Sequence, residues 1–268
     1  LPDVLRYGIS GSKEEGNKMI ELETRLFAGI ETVHAAPAGK MNQPLPTVIF
    51  YHGFTSSKIV YSYFAVALAL AGFRVVMPDA AEHGSRFNGD AQGRLMRFWQ
   101  ILHQNMTEFA ALRDAVVADK LVLDQQVGVA GASMGGMTAL GVMTHHPDVK
   151  CVASLMGSGY FTTLSRTLFP PSFTMTPDLQ RQLDAVIAPL AEWEVTNQLA
   201  QLADRPLLLW HGEDDDVVPA QESFRLQREL AARQLDKQLT WLWEPGVKHR
   251  ITPTAVDATV TFFKQHLA

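Results

Sequence analysis

The chain has 268 residues, 47% of them hydrophobic, which is enough to bury one large core without calling for a second domain. Its formal net charge of −5 offers no basic field to neutralise phosphates, which argues against nucleic acid or an anionic membrane surface and for a neutral small molecule as partner. The single cysteine, Cys151, sits in an apolar run with no second cysteine to pair with, and reads as a buried thiol of a reducing compartment.

Residues 1–18 carry Gly11, Ser12, Lys13, Glu14, Glu15, Gly16 and Asn17 where a secretory signal would need an apolar stretch. Cytoplasmic residence is therefore expected, and 1–18 is set aside as a disordered or vector-derived tail. The β-prone runs 20–26 and 30–33 flank Gly29 and predict a leading antiparallel hairpin. Residues 47–51 are continuously apolar, as in a strand buried on both faces, and a helix over 63–71 follows. The uncharged stretch 59–71 is shorter than the roughly 18 residues a membrane crossing needs, and Tyr61, Ser62 and Tyr63 interrupt it. A strand at 74–77 leads into a long helical stretch, 95–123. Strands at 127–130, 152–155, 207–210 and 239–242 then alternate with helices after Met134, from Gln221 and from Thr254. This alternation predicts an α/β fold, a mostly parallel central sheet covered by helices on both faces.

The interval 157–204 breaks the rhythm. It is too long for an ordinary connection and holds Pro170, Pro171, Pro177 and Pro189 among short helical pieces. Phe161, Leu164, Leu168, Phe169, Phe173, Met175 and Trp193 give it more apolar surface than a solvated loop carries. It reads either as a helical cap over a pocket or as a structural excursion.

The chemistry gathers at Gly131-Ala132-Ser133-Met134-Gly135, a Gly-x-Ser-x-Gly pattern between a buried strand and a helix. So tight a reversal strains the serine backbone and leaves no room for side chains at 131 and 135. Ser133 is the expected nucleophile, and the Met134 amide one donor to the oxyanion that its attack creates. The Phe54 amide, in His52-Gly53-Phe54 after the strand 47–51, is the second donor expected from that position. His52 itself reads as a structural residue shaping the loop, with the Thr55, Ser56 and Ser57 hydroxyls holding its turn.

A serine hydroxyl needs a base within hydrogen-bond reach. Of nine histidines, His249 alone lies in the loop between the last strand and the last helix, after Ser133 in chain order. The base in turn needs a carboxylate, and Glu213, Asp214, Asp215 and Asp216 follow the strand 207–210. Asp215 is favoured because its spacing to Val218-Pro219 puts it in the middle of the turn, while the others face solvent or cap the next helix. A divalent metal at these acids would want ligands from a second segment, and none is evident.

These features, with Asp79 followed by His83-Gly84-Ser85-Arg86 and with His211-Gly212, resemble the α/β-hydrolase superfamily from about residue 19 onward. Within it the chain resembles bacterial YjfP-type serine carboxylesterases, near the dienelactone-hydrolase and prolyl-oligopeptidase-like branches. The resemblance implies ester hydrolysis without cofactor or metal, with Ser133, Asp215 and His249 as triad and Phe54 and Met134 as oxyanion donors. Dienelactone hydrolases carry cysteine where this chain has Ser133, so lactone chemistry does not carry over. The expected substrate is a short-chain carboxylic ester, and the expected state a monomer or small homo-oligomer. Thioester or amide cleavage and acyl transfer would use the same residues, and a non-catalytic binding protein on this fold is the remaining alternative.

Overall fold

A computed structural model describes residues 5–8, 19–169 and 176–267. Among these, nine strands form one sheet: β1 (Leu5–Gly8), β2 (Met19–Phe27), β3 (Ile30–Pro37), β4 (Leu45–Tyr51), β5 (Arg74–Pro78), β6 (Val122–Ala132), β7 (Cys151–Leu155), β8 (Leu207–Gly212) and β9 (Leu239–Glu244). Their spatial order is β1-β2-β3-β5-β4-β6-β7-β8-β9. The pairs from β5 through β9 are parallel, and β1, β2 and β3 run antiparallel at one edge. The predicted hairpin turns at Ala28 and Gly29, with φ of 50° and 77°, the double left-handed turn that matches strand twist. Leu5–Gly8, inside the segment set aside as a tail, pairs with β2; residues 1–4 and 9–18 lie outside the described residues.

The helices are α1 (Ser62–Leu70), α2 (Ala91–Met96), α3 (Phe98–Ala118), α4 (Met134–His145), α5 (Phe161–Leu164), α6 (Pro177–Ile187), α7 (Leu199–Ala203), α8 (Gln221–Ala232) and α9 (Pro253–His266). Strand periodicity sorts them into two layers. Val48 and Phe50 of β4 point to α1 and α9, packing with Phe64, Leu68, Phe262 and Phe263. Ile49 and Tyr51 point the other way, to Phe109, Leu112, Leu140 and Leu226 of α3, α4 and α8. Both sides of each central strand are thus apolar, which is why these strands read as unbroken hydrophobic runs.

The predicted helix over 95–123 is corrected. It is two helices, α2 and α3, and it stops at Ala118. Lys120, at φ 59°, donates its N–H to Val117 C=O while Leu121 N–H reaches Val116 C=O, a left-handed cap that closes the helix. The apolar residues after this cap belong to β6, whose start has the same composition as a helix end.

Segment 157–204 contains α5, α6 and α7, and residues 170–175 within it lie outside the described residues. Phe161, Leu164, Leu168 and Leu190 pack on Phe98, Trp99, Met134 and Met137, seating the segment on the starts of α3 and α4.

Candidate active site

β6 ends at Ala132 and α4 begins at Met134, so the chain reverses at Ser133, whose φ of 56° and ψ of −118° are sparsely populated for any residue but glycine. A Cβ on Gly131 would lie 2.3 Å from the Gly135 carbonyl group, and one on Gly135 only 2.0 Å from Tyr51 O on β4. The first clash is the expected one across the turn. The second is with the neighbouring strand and could not be read from the pattern. Ser133 N–H to Leu155 O at 2.9 Å and Met137 N–H to Ser133 O at 3.0 Å hold the strained residue in place.

Ser133 Oγ lies 2.9 Å from His249 Nε2, and His249 Nδ1 lies 2.7 Å from Asp215 Oδ2. With Nδ1–H donating to the carboxylate, Nε2 is the acceptor for the serine hydroxyl. His249 stands in the loop between β9 and α9 and Asp215 in the loop after β8, so all three side chains converge at the carboxyl end of the sheet.

The structure separates the four acids. Asp215 Oδ1 accepts from Val217 N–H and Val218 N–H, each at 2.9 Å. Its Oδ2 accepts from His249 and from His211 Nε2–H at 3.1 Å. Glu213 and Asp214 are exposed, and Asp216 pairs with Lys248 at 3.1 Å. None of them caps α8, whose first turn has no side-chain cap, so that part of the expectation is corrected. Charge-assisted bonds contribute about 1.5–3 kcal/mol each, and four of them offset a burial penalty of several kcal/mol. Burial pushes the Asp215 carboxyl up, but the bonds from His211, His249 and the Val217 amide outweigh it and hold the group well below the usual carboxylate range.

That depression has a stability consequence. A carboxylate whose folded pKa lies below its unfolded value of about 3.9 stabilises the fold above that value, and the contribution is lost as pH falls toward the folded pKa. The difference in urea midpoint between wild type and Asp215→Ala should therefore shrink on going from about pH 5 to about pH 3. A difference that stays constant would contradict the depressed value.

His211 carries a role that the sequence reading did not assign. It is fully buried; Nε2 faces only acceptors, Asp215 and Val218 O at 2.9 Å, so the proton sits there, and Nδ1 lies 2.8 Å from Ser223 Oγ. It holds the acid by donating to Oδ2, the same oxygen that His249 uses. The four-residue spacing from His211 to Asp215 across one turn was the signal that could have found it.

On the other side of Ser133, the loop after β4 approaches the elbow closely: a Cβ on Gly53 would lie 3.5 Å from Ala132 O and from Ser133 Cβ. The bonds that fasten the Phe54 and Met134 regions use other amides, Ser56 N–H to Gly53 O and Met137 N–H to Ser133 O. Thr55, at φ 59°, donates its N–H to His83 Nε2 at 2.9 Å, and His83 Nδ1–H donates to Ala81 O at 2.7 Å. His52 is structural, as expected: Nδ1–H donates to Gly53 O at 2.8 Å and Nε2 accepts from Ala80 N–H at 3.0 Å. Burial lowers the His52 pKa to about 4 and pulls His83 down as well, so both rings stay neutral and can accept. Asp79 accepts from Lys58 N–H, from the Lys58 ammonium and from Ser85, and a Cβ on Gly84 would lie 2.2 Å from its carboxylate. The Asp79 and His83-Gly84-Ser85 motif is thus a clamp on the loop that carries Phe54. The hydroxyl expectation is narrowed: of Thr55, Ser56 and Ser57, only Ser57 accepts a bond in the turn, from Val60 N–H at 3.4 Å.

Two pockets meet at Ser133 and His249. One, of about 370 Å³, is walled by Leu95, Phe98, Leu168, Phe169 and Val217. The other, of about 250 Å³, is walled by Ser56, Tyr61, Tyr63, Arg250 and Ile251. Among the described residues no three His, Cys, Asp or Glu side chains are grouped to hold a metal ion, and no helix is long and apolar enough to cross a membrane.

A strained serine at a strand-to-helix turn on a sheet of this order is the arrangement of α/β-hydrolases. The chain belongs to the prolyl oligopeptidase family, whose model matches residues 60–268, and it is a serine ester hydrolase. It is 62% identical over 249 residues to Esterase YjfP of Escherichia coli (strain K12), covering 93% of this chain and 100% of that protein. TT1662 from Thermus thermophilus shares the fold with a TM-score of 0.72 at 19% identity, over 92% of this chain and 97% of that one. A cold-adapted esterase from an Arctic intertidal metagenomic library does so with a TM-score of 0.62 at 20% identity, over 96% and 99%.

Proposed function

We propose that the chain is a serine carboxylesterase hydrolysing short-chain carboxylic esters of small molecules through an acyl-enzyme. The observation that carries this is the unbroken run of hydrogen bonds from Ser133 Oγ to His249 and on to Asp215, at 2.9 and 2.7 Å. His249 Nε2 takes the hydroxyl proton as Oγ attacks the ester carbonyl. Asp215 stabilises the imidazolium, and the amides of Phe54 and Met134 receive the oxyanion. His249 then protonates the departing alcohol; water enters, gives its proton to the same nitrogen and releases the carboxylic acid.

The short acyl preference is supported by the apolar pocket, which Phe169 helps to wall. Its ring packs against Phe54 and Phe98, with centroids 5.2 and 4.7 Å apart, and also walls a separate cavity of about 160 Å³ between α3 and α6. The test is a rate series on p-nitrophenyl esters of rising chain length, with a matched thioester and anilide alongside. Esters should be cleaved best, with the optimum at short chains in wild type and at longer chains in Phe169→Ala, where the two cavities join. A wild-type optimum at long chains would overturn the short-chain assignment, and faster thioester or anilide cleavage the ester assignment.

A further inference from the structure

We propose that the pocket on the Arg250 side of Ser133 binds an oxyanion carried by the substrate, a carboxylate or a phosphate, so that the preferred ester has one apolar half and one acidic half. The proposal rests on the esterase reading above and concerns which esters it serves.

The pocket is built from donors. Ser56, Tyr61, Tyr63 and Arg250 line it, side chains that carry three hydroxyls and a guanidinium, and no acidic residue is among its lining residues. Among the described residues none of these four side chains has a hydrogen-bond or ion-pair partner. Burial raises the Tyr61 and Tyr63 pKa values, so both hydroxyls keep their protons and can donate. Other cations around the site are already paired: Lys58 with Asp79 and Glu31, Arg86 with Glu108, Arg97 with Glu82 and Lys248 with Asp216. Among the described residues Arg250, next in the chain to His249, has no counter-ion.

A guanidinium with three hydroxyl donors matches a group that offers several acceptor oxygens and a negative charge. Val60, Met156 and Ile251 complete the lining with apolar surface. The opposite pocket is walled by Leu95, Phe98, Leu168, Phe169 and Val217 and offers no comparable set. The overall charge of −5 suggested a neutral ligand, but charges beyond a Debye length of about 8 Å are screened, and the guanidinium at the pocket sets the local preference.

The test uses three matched pairs with the full chain. They are 4-carboxyphenyl butyrate against 4-carbamoylphenyl butyrate, 4-nitrophenyl hemiglutarate against 4-nitrophenyl butyrate, and 1-butyrylglycerol 3-phosphate against 1-butyrylglycerol. The readout is the ratio of kcat/KM, charged over uncharged, within each variant, which cancels general damage to catalysis. For at least one pair the ratio should fall by about tenfold or more in Arg250→Gln, further in Arg250→Glu and less in Tyr63→Phe, mainly through KM. Added salt should lower it in wild type and not in Arg250→Gln. The pair that responds tells carboxylate from phosphate, and the acyl from the alcohol half. Ratios that stay within about twofold in every pair and variant overturn the proposal. Ser133-dependent hydrolysis of the uncharged esters would in that case leave the esterase reading intact, whereas its absence in wild type would overturn both.

Discussion

Ser133→Ala should lower kcat/KM for p-nitrophenyl butyrate by roughly 10⁵ or more, with the unfolding midpoint and far-ultraviolet circular dichroism close to wild type. The size follows from the way the three side chains act as one unit. Without Oγ, His249 has no nucleophile to activate at 2.9 Å, and only the oxyanion donors and the pocket remain to favour direct attack by water. The fold is spared because the backbone bonds at 133, to Leu155 O and from Met137 N–H, do not involve the side chain. A fluorophosphonate probe should label wild type and not the variant. Turnover within about tenfold of wild type would remove Ser133 from the mechanism.

The parts of this site that the sequence discloses are those whose physics is local. The elbow is legible because one strained residue between a strand and a helix packs position 131 against the backbone of 135 and forces glycine at 131, although what forces glycine at 135 is the neighbouring β4. The sheet is legible because strands buried on both faces, such as β4 and β7, are apolar at nearly every position, Thr47 and Ser154 being the polar exceptions. His249 and Asp215 are legible only through chain order and turn spacing, since each reaches Ser133 across the tertiary fold. What is not legible depends on contacts between distant segments. His211 is an exception: it stands only four residues from Asp215, yet it reads as one more histidine beside a glycine until the turn after β8 places it 3.1 Å from that carboxylate. His83 lies 28 residues from Thr55 along the chain, so its hold on the loop after β4 has no sequence period to betray it. The end of α3 at Ala118 is hidden because Leu121 and Val122 suit a helix as well as a strand, and the left-handed Lys120 decides between them.

Asp215→Asn should lower kcat by roughly 10⁴ and destabilise the fold, although it changes only one oxygen to NH₂. The reason is the donor count. All four partners of the carboxylate donate to it: the Val217 and Val218 amides to Oδ1, His249 and His211 to Oδ2. An asparagine has one oxygen, so its NH₂ must face two donors whichever way it is turned. With NH₂ toward the turn, the exposed Val217 amide and the part-buried Val218 amide lose their acceptor, and the cost falls mainly on Val218. With NH₂ toward the histidines, His249 accepts at Nδ1 only in the tautomer that carries its proton on Nε2, and that nitrogen can no longer take the serine proton. One orientation costs stability and the other costs the base. Glu213→Gln, Asp214→Asn and Asp216→Asn, none of which bonds to either imidazole since Asp216 meets His249 only at its backbone N–H, should leave kcat within about twofold of wild type. A large loss in one of those three, with Asp215→Asn near wild type, would transfer the role of the acid to that neighbour.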